Sequence, residues 1–240
     1  MRCWAVIILL GVLVGASPVL AASKGDWQDC RADHPDRNIA GCTKIIEGRG
    51  ESDKNRAIAY YSRGSAFGER SDYNRAIADY GEAIKLNPNN FEVFISRGFI
   101  YQVKGDKDRA IADYSEAIRL NPKFTSIYYT RGNAYEDKGE HDLAIADYSE
   151  AIKLYAKHAM AYYSRGLVFE KKGDFDLAIA DYSTAIKLYP GYTAAYSSRG
   201  NAYRAKGEND RAIADYRRAL AINPSLQAAK DGLKALGVNL

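Results

Sequence analysis

The chain of 240 residues is poor in the side chains on which catalysis and metal binding depend. Its three histidines, His34, His141 and His158, do not form a ligand spacing such as His-Glu-x-x-His. The sequence also has no Gly-x-Ser-x-Gly motif, no Walker A loop and no Cys-x-x-Cys pair. These absences predict a protein that is not an enzyme and that holds neither a metal ion nor a cofactor.

Charged side chains of both signs are mixed along the chain. Lys and Arg together number 34 and Asp and Glu number 30, which gives a formal net charge of +4 at pH 7. A nucleic-acid-binding domain usually carries a concentrated basic patch, so we expect no nucleic-acid partner. No Pro/Ser-rich linker or low-complexity run divides the sequence, and we therefore expect one extended domain after residues 1–22.

One thirteen-residue segment returns along the chain every 34 residues. It reads AIADYSEAIRLNP at 110–122, and its apolar and small residues recur every three or four positions, as on one face of a helix. A segment with aromatic residues seven apart precedes each copy, as at 94–101. Between the two stands Gly105-Asp106 or a counterpart, where Gly can end one helix and the acid can begin the next. The repeated unit is therefore predicted to be a helical hairpin.

These repeats resemble the tetratricopeptide repeat (TPR) family. The shared features are an aromatic residue at the fourth position of the unit, Gly at the eighth, Tyr or Phe at the eleventh, Ala at the twentieth and twenty-seventh, and Pro at the thirty-second. The resemblance implies an all-α fold, a right-handed α-solenoid of five 34-residue hairpins followed by a C-terminal capping helix and tail at 227–240. The expected units are 57–90, 91–124, 125–158, 159–192 and 193–226. Ala156 stands in place of the Pro, which predicts a less rigid turn between the third and fourth units.

The glycines at the eighth position lie inside predicted helices, where each costs roughly 1 kcal/mol relative to Ala. They are Gly64, Gly98, Gly132, Gly166 and Gly200. We expect close backbone approach to the facing helix to require them.

Residues 1–22 predict a secretory signal peptide. Arg2 is followed by an uncharged apolar run that ends in small residues, Val19-Leu20-Ala21-Ala22, as signal peptidase requires. The alternative is an uncleaved membrane anchor, and this segment is the one contact with a membrane that we expect. The predicted location is secreted or periplasmic.

Residues 23–56 resemble a degenerate capping hairpin that contains Cys30 and Cys42. In an oxidising compartment these two cysteines are expected to form a disulfide, which would stabilise the small cap by roughly 3 kcal/mol. The alternatives are a pair of buried free thiols and, more remotely, a Cys-based catalytic or metal site.

A column of arginines and a column of aspartates recur once in every unit. We expect them to form a structural ladder of ion pairs, because a planar guanidinium can hold a carboxylate with two hydrogen bonds. The alternative is that the arginines bind an anionic ligand. The residues are Arg63, Arg97, Arg131, Arg165 and Arg199 with Asp79, Asp113, Asp147, Asp181 and Asp215.

The resemblance further implies a binding groove on the concave side, lined by the fifth and ninth positions of the first helices. These are Tyr61, Ser65, Ile95, Phe99, Tyr129, Asn133, Tyr163, Leu167, Ser197 and Asn201. The Lys or Arg with which some family members hold a terminal carboxylate is missing here. The alternative is that these side chains merely pack on one another and face water.

The sequence thus predicts a non-catalytic scaffold that binds a protein or peptide in its groove, in envelope or periplasmic assembly. Two other hypotheses remain open: a solenoid that self-associates, and an accessory subunit of an enzyme complex.

Overall fold

The computed structural model describes residues 22–238, so the predicted signal peptide, apart from Ala22, lies outside the described residues. Within this range the chain forms thirteen α-helices and no strand. The helices are α1 (Lys24–Cys30), α2 (Pro35–Glu47), α3 (Asp53–Glu69), α4 (Tyr73–Leu86), α5 (Phe91–Val103), α6 (Lys107–Leu120), α7 (Thr125–Asp137), α8 (His141–Leu154), α9 (Ala159–Lys172), α10 (Phe175–Leu188), α11 (Thr193–Ala205), α12 (Asn209–Ile222) and α13 (Gln227–Ala235).

Each helix packs against the helices before and after it in the chain. Helices α3 to α12 therefore form successive pairs, in which we call the first member the A helix and the second the B helix. The prediction of an all-α solenoid is confirmed. Helix α3 begins at Asp53, inside the segment assigned to the cap, because the Ser52 side chain accepts a hydrogen bond from the backbone N–H of Asn55 and extends the helix.

The turns between A and B helices follow the sequence pattern of Gly and acid. Gly105 has a φ of 80° and Gly173 a φ of 84°, in the left-handed region that favours glycine. The Asp106 carboxylate then caps α6 by accepting from the backbone N–H of Arg109. The first such turn places Ser71 at a φ of 60°, a conformation that is uncommon for a residue with a side chain.

The core consists of the recurrent Ala and Tyr of the B helices, which are at most 3 % exposed. They are Ala76, Ala110, Ala144, Ala178 and Ala212 with Tyr80, Tyr114, Tyr148, Tyr182 and Tyr216. The A-helix glycines lie against these rings: a Cβ on Gly132 would come within 2.8 Å of Cε1 of Tyr148. We expected close approach of the two backbones to require these glycines. The structure shows instead that each glycine makes room for the tyrosine ring of the paired B helix.

Short helices cover both ends of the array. At the N-terminal end Cys30 and Cys42 form a disulfide between α1 and α2, and both are buried beside Ile45 and Ala59. At the C-terminal end α13 packs on α11 and α12, and it buries Leu233. A polar cap at each end is a common requirement of repeat proteins for solubility.

Candidate functional site: the groove face

We call the surface that carries the fifth and ninth positions of α3, α5, α7, α9 and α11 the groove face. Most of its ten predicted residues are half-buried, while Phe99 is 56 % exposed. The tyrosines at the fifth position connect neighbouring A helices. The hydroxyl of Tyr129 lies 3.4 Å from Oγ of Ser164, and that of Tyr163 lies 3.4 Å from Oγ of Ser198. These tyrosines therefore present only part of their rings to a ligand.

The residue at the ninth position determines which side chain accepts the hydrogen bond from the hydroxyl of the buried B-helix tyrosine. Tyr148 donates to Oδ1 of Asn133 at 2.7 Å, and Tyr216 donates to Asn201 at the same distance. Because Oδ1 of each asparagine already accepts a hydrogen bond from a tyrosine, the predicted contact with a peptide backbone would have to be made by the side-chain NH₂ group.

Where the ninth position is apolar, a residue three positions further on accepts the hydrogen bond instead. Leu167 occupies the ninth position of the fourth unit, and Tyr182 donates to Oε2 of Glu170 at 2.6 Å. Burial raises the pKa of Glu170, and the hydrogen bond from Tyr182 partly opposes that shift. Tyr114 likewise donates to Gln102 beside Phe99.

The prediction that Ser197 lines the groove is wrong. Ser197 is 4 % exposed, and its hydroxyl has no hydrogen-bond partner among the described residues. In the last unit α13 takes the place of the next A helix, and a Cβ on Gly232 would come within 2.4 Å of Cζ of Tyr216. The Tyr216 ring therefore packs directly against α13, and the groove face ends at this helix.

The groove face contains an apolar cleft of about 490 Å³ between the first two units. Ile95, Phe99 and Val103 follow one another at intervals of four along α5 and form one wall, and Val103 is 47 % exposed. The buried Tyr80 and Tyr114 also line the cleft. Phe99 and Val103 thus offer an apolar surface that no other residue of the range 22–238 covers.

The predicted arginine and aspartate columns pair within each unit. Arg131 donates through Nε and Nη2 to the two carboxylate oxygens of Asp147, both at 2.8 Å. Its Nη1 reaches back 2.9 Å to Oγ of Ser115 on the preceding B helix. The guanidinium therefore joins two units, and its pKa is raised chiefly by the hydrogen bond to Asp147. The same bidentate pairs are Arg63 with Asp79, Arg97 with Asp113, Arg165 with Asp181 and Arg199 with Asp215.

Comparison with known proteins identifies the repeats. A family model described as tetratricopeptide repeat matches residues 129–193 and 163–226, and a second, described as TPR repeat, matches 64–105 and 100–139. A crystal structure of MamA protein is 30% identical, with a TM-score of 0.66, and the match covers 77% of this chain and 97% of that one. The chain belongs to the tetratricopeptide repeat family.

Two further solved structures are similar to this TPR protein. Another structure of MamA is 32% identical over 71% of this chain and 96% of its own, with a TM-score of 0.64. YrrB, described as a TPR protein with an unusual peptide-binding site, is 22% identical over 82% of this chain and 99% of its own, with a TM-score of 0.70, and shares the fold. Among curated proteins, no sequence is significantly similar to the chain.

The second TPR unit lacks one contact of the ladder. Gly81 of the first unit stands where the next three units have Ser115, Ser149 and Ser183, so Nη1 of Arg97 has no serine to donate to. A Cβ on Gly81 would have that Nη1 as its nearest neighbour, at 4.0 Å. The site therefore has room for a side chain.

We expect Gly81→Ser to stabilise the protein by about 1–2 kcal/mol. Serine is a better helix residue than glycine by about half a kcal/mol, and its hydroxyl would gain a charge-assisted hydrogen bond. Urea unfolding of the parent and the variant measures the change. Gly81→Ala supplies helix propensity without an acceptor, so a serine variant that is no more stable than the alanine variant would contradict the role of the hydroxyl.

A second ladder, which the sequence reasoning missed, joins the A–B turns of successive TPR units. Lys138 pairs with Asp108 at 2.7 Å, and Lys172 pairs with Asp142 of the unit before it. Lys206 pairs with Asp176 in the same way. The aspartates are more than four-fifths exposed, so solvent screens these pairs and each contributes little to stability. The lysine that recurs just before the A–B turn could have indicated this second ladder in the sequence.

The loops after α8 and α10 carry an aromatic edge that was also not predicted. Tyr155 and Tyr189 replace the Asn found at this position in the other units, and they are 52 % and 57 % exposed. The rings of His158 and Tyr129 lie 5.0 Å apart, and those of Tyr192 and Tyr163 lie 4.8 Å apart. This edge extends the half-buried tyrosines of the groove face toward solvent.

His158 gives the junction between the third and fourth units a dependence on pH. Its Nδ1 accepts a hydrogen bond of 3.3 Å from the backbone N–H of Ala161 and so caps α9. Burial lowers the pKa of His158 below its ordinary value of 6.5, because the charged imidazolium is desolvated there. Protonation would also remove the acceptor.

We expect the unfolding free energy to fall as pH is lowered from about 6.5 through the folded-state pKa, since the unfolded chain binds the proton more tightly. The loss should reach about 1 kcal/mol, the size of a helix-cap contact. His158→Asn keeps a capping side chain without the titration. The difference between parent and variant, measured by urea unfolding from pH 7.5 to 5, should follow this window; parallel profiles would contradict it.

In the part of the chain that the structure describes, no group of three or more His, Cys, Asp or Glu side chains could hold a metal ion. Across residues 22–238, none of the helices combines the length and the apolar character needed to cross a bilayer.

Proposed function

We propose that this TPR protein is an exported, non-catalytic scaffold that binds a segment of a partner protein on its groove face and serves assembly in the envelope or periplasm. The family membership supports protein–protein interaction as its general role. The observation that carries the proposal is the cleft of about 490 Å³, whose wall residues Phe99 and Val103 are about half exposed. Adjacent apolar side chains of this kind often mark interaction sites.

The framework around the cleft supports binding by a rigid surface. The bidentate arginine pairs hold the two helices of each unit together, and the tyrosine hydroxyl contacts join successive A helices, so a ligand would not have to order them. Preorganisation of this kind reduces the cost of binding. The similarity to YrrB, which has a peptide-binding site, is consistent with a peptide ligand.

Export is supported by two independent features. Residues 1–22 have the composition of a signal peptide. The Cys30–Cys42 disulfide is the kind of bond that persists in an oxidising compartment.

The alternatives are a solenoid that self-associates and an accessory subunit of an enzyme complex. The caps α1–α2 and α13 cover the two ends of the array and disfavour end-to-end stacking. Sedimentation at several concentrations tests self-association, and an oligomer that forms at micromolar concentration would favour it.

Affinity capture with residues 23–240 from the envelope fraction of the source tests the proposal. The groove variant Phe99→Ser with Val103→Ser is compared with Leu143→Ser and Leu177→Ser, which change two leucines of similar exposure on B helices. We expect a partner that the B-helix variant retains and the groove variant loses. A partner lost only by the B-helix variant would contradict the assignment to the groove face, and circular dichroism establishes that both variants are folded.

A further inference from the structure

The apolar cleft between the first two units has a charge of one sign at its rim. Of the described residues that line it, Glu69 is the only charged one. Glu69 is the last residue of α3, opposite the wall that Phe99 and Val103 form on α5. Burial raises the pKa of Tyr80, and the negative charge of Glu69 adds to that shift, which indicates that the carboxylate acts on the cleft floor.

Two cations in the neighbourhood of Glu69, Arg31 and Arg70, are engaged elsewhere. Arg31 lines the adjoining cleft, which Glu69 also borders, but its guanidinium lies over the Trp27 ring at 5.3 Å. Arg70 pairs with Asp36 of the cap. Glu69 itself takes part in no ion pair within residues 22–238.

Further acidic residues continue along the groove face into the third unit. Glu136 and Asp137 add to the raised pKa of Tyr148, whose largest cause is burial. Glu136 pairs with Lys171, and the main-chain carbonyl of Asp137 accepts a hydrogen bond from Lys107. Among the described residues, Glu69 is the acid that both lines the apolar cleft and takes part in no ion pair, whereas Glu136 and Asp137 lie outside that cleft.

We propose that this cleft is the anchoring subsite of the groove and takes an aromatic or leucine-sized side chain of a partner segment that carries Lys or Arg next to it. The inference rests on the proposed function, since it names the chemistry of the segment that the groove face binds. The apolar wall accounts for the anchor residue. Glu69 accounts for the cation, because opposite charge across an interface favours the matching partner and disfavours an acidic one.

The test uses four twelve-residue peptides on one Gly-Ser backbone, N-acetylated, C-amidated and labelled with the same dye. They carry Phe with Lys, Phe with Glu, Ala with Lys, and Ala with Glu. Fluorescence anisotropy with residues 23–240 measures their affinities at low salt. We expect the Phe and Lys peptide to bind most tightly, about tenfold more tightly than the Ala and Lys peptide, because burial of the ring accounts for most of the affinity.

Two variants with one control resolve the contribution of charge. Glu69→Gln should weaken the Phe and Lys peptide about fivefold, the range of a partly exposed ion pair, and 0.5 M salt should remove the difference. Asp210→Asn neutralises an exposed acid of the last unit and should leave the affinity unchanged. Phe99→Ser with Val103→Ser should abolish binding of both Phe peptides.

Equal affinity for the Lys and Glu peptides, or no effect of Glu69→Gln, would overturn the cationic preference. If none of the four peptides binds while the groove variant still loses its captured partner, the anchor chemistry is wrong and the groove assignment stands. If the peptides fail and capture is also independent of Phe99 and Val103, the proposed function fails together with this inference.

Discussion

Arg131→Met should lower the unfolding free energy by about 3–5 kcal/mol. The substitution removes both hydrogen bonds to Asp147, which is 5 % exposed and would be left as a buried carboxylate without its partner. Loss of one member of a buried pair costs this much because the desolvation of the other is no longer offset. Ser115 also loses the donor that joins the two units. Urea unfolding followed by circular dichroism measures the loss.

Two comparison variants test whether the loss in Arg131→Met arises from the burial of its ion pair. Arg119 pairs with Glu116 at 2.6 Å on the surface, and Arg119→Met should lower the unfolding free energy far less than Arg131→Met, because solvent screens this pair. Combining Arg131→Met with Asp147→Leu should recover much of the stability, since an apolar pair of similar volume can replace a buried ion pair. If the single variant loses no more than the Arg119 control, the ladder does not stabilise the fold.

The sequence predicted best what repeats in every unit. The Arg131–Asp147 pair recurs at a fixed interval, so its partners follow from the stacking of similar hairpins, whereas for Gly132 the sequence indicated a close contact but not that Tyr148 supplies it. The third contact of the arginine, to Ser115, was missed because serine has no strong positional preference in a helix. A partner 16 residues upstream becomes visible only when two units are packed.

What departs from the repeat was predicted less well. Ser197 was assigned to the groove by its position in the unit, but it is 4 % exposed, and the helix that follows this unit is the cap α13, which packs against α11. Tyr155 and Tyr189 were not singled out because they replace an Asn of the common pattern. The exposure of a side chain at such a position depends on which helix packs next to the unit. The residue spacing within a single unit does not reveal that neighbour.

The groove residues divide by the same reasoning into framework and contact surface. Asn133 and Tyr129 carry the pattern of a ligand contact, yet each also satisfies a structural hydrogen bond within the array. Phe99 and Val103 have large exposed fractions and no comparable role in the framework. Substitutions at the first pair would therefore alter stability and binding together, whereas the second pair isolates binding.

Gly132→Ala should destabilise the protein by about 1–3 kcal/mol although alanine is the better helix residue. Its Cβ would lie 2.8 Å from Cε1 and 2.9 Å from Cδ1 of Tyr148, a ring that is 0 % exposed and has no space to move into. Overpacking of a filled core costs more than the gain of about 1 kcal/mol in helix propensity. Urea unfolding gives the magnitude of the loss.

Gly81→Ala is the matched control, because Gly81 also lies inside a helix but has nothing nearer to its Cβ position than Nη1 of Arg97 at 4.0 Å. The same chemical change should stabilise the protein there by about 0.5–1 kcal/mol. The two variants thus have opposite expected signs, and only the neighbouring ring distinguishes them. If Gly132→Ala also stabilised the protein, the Tyr148 ring would have to yield, and ring packing would no longer explain why this helix contains glycine.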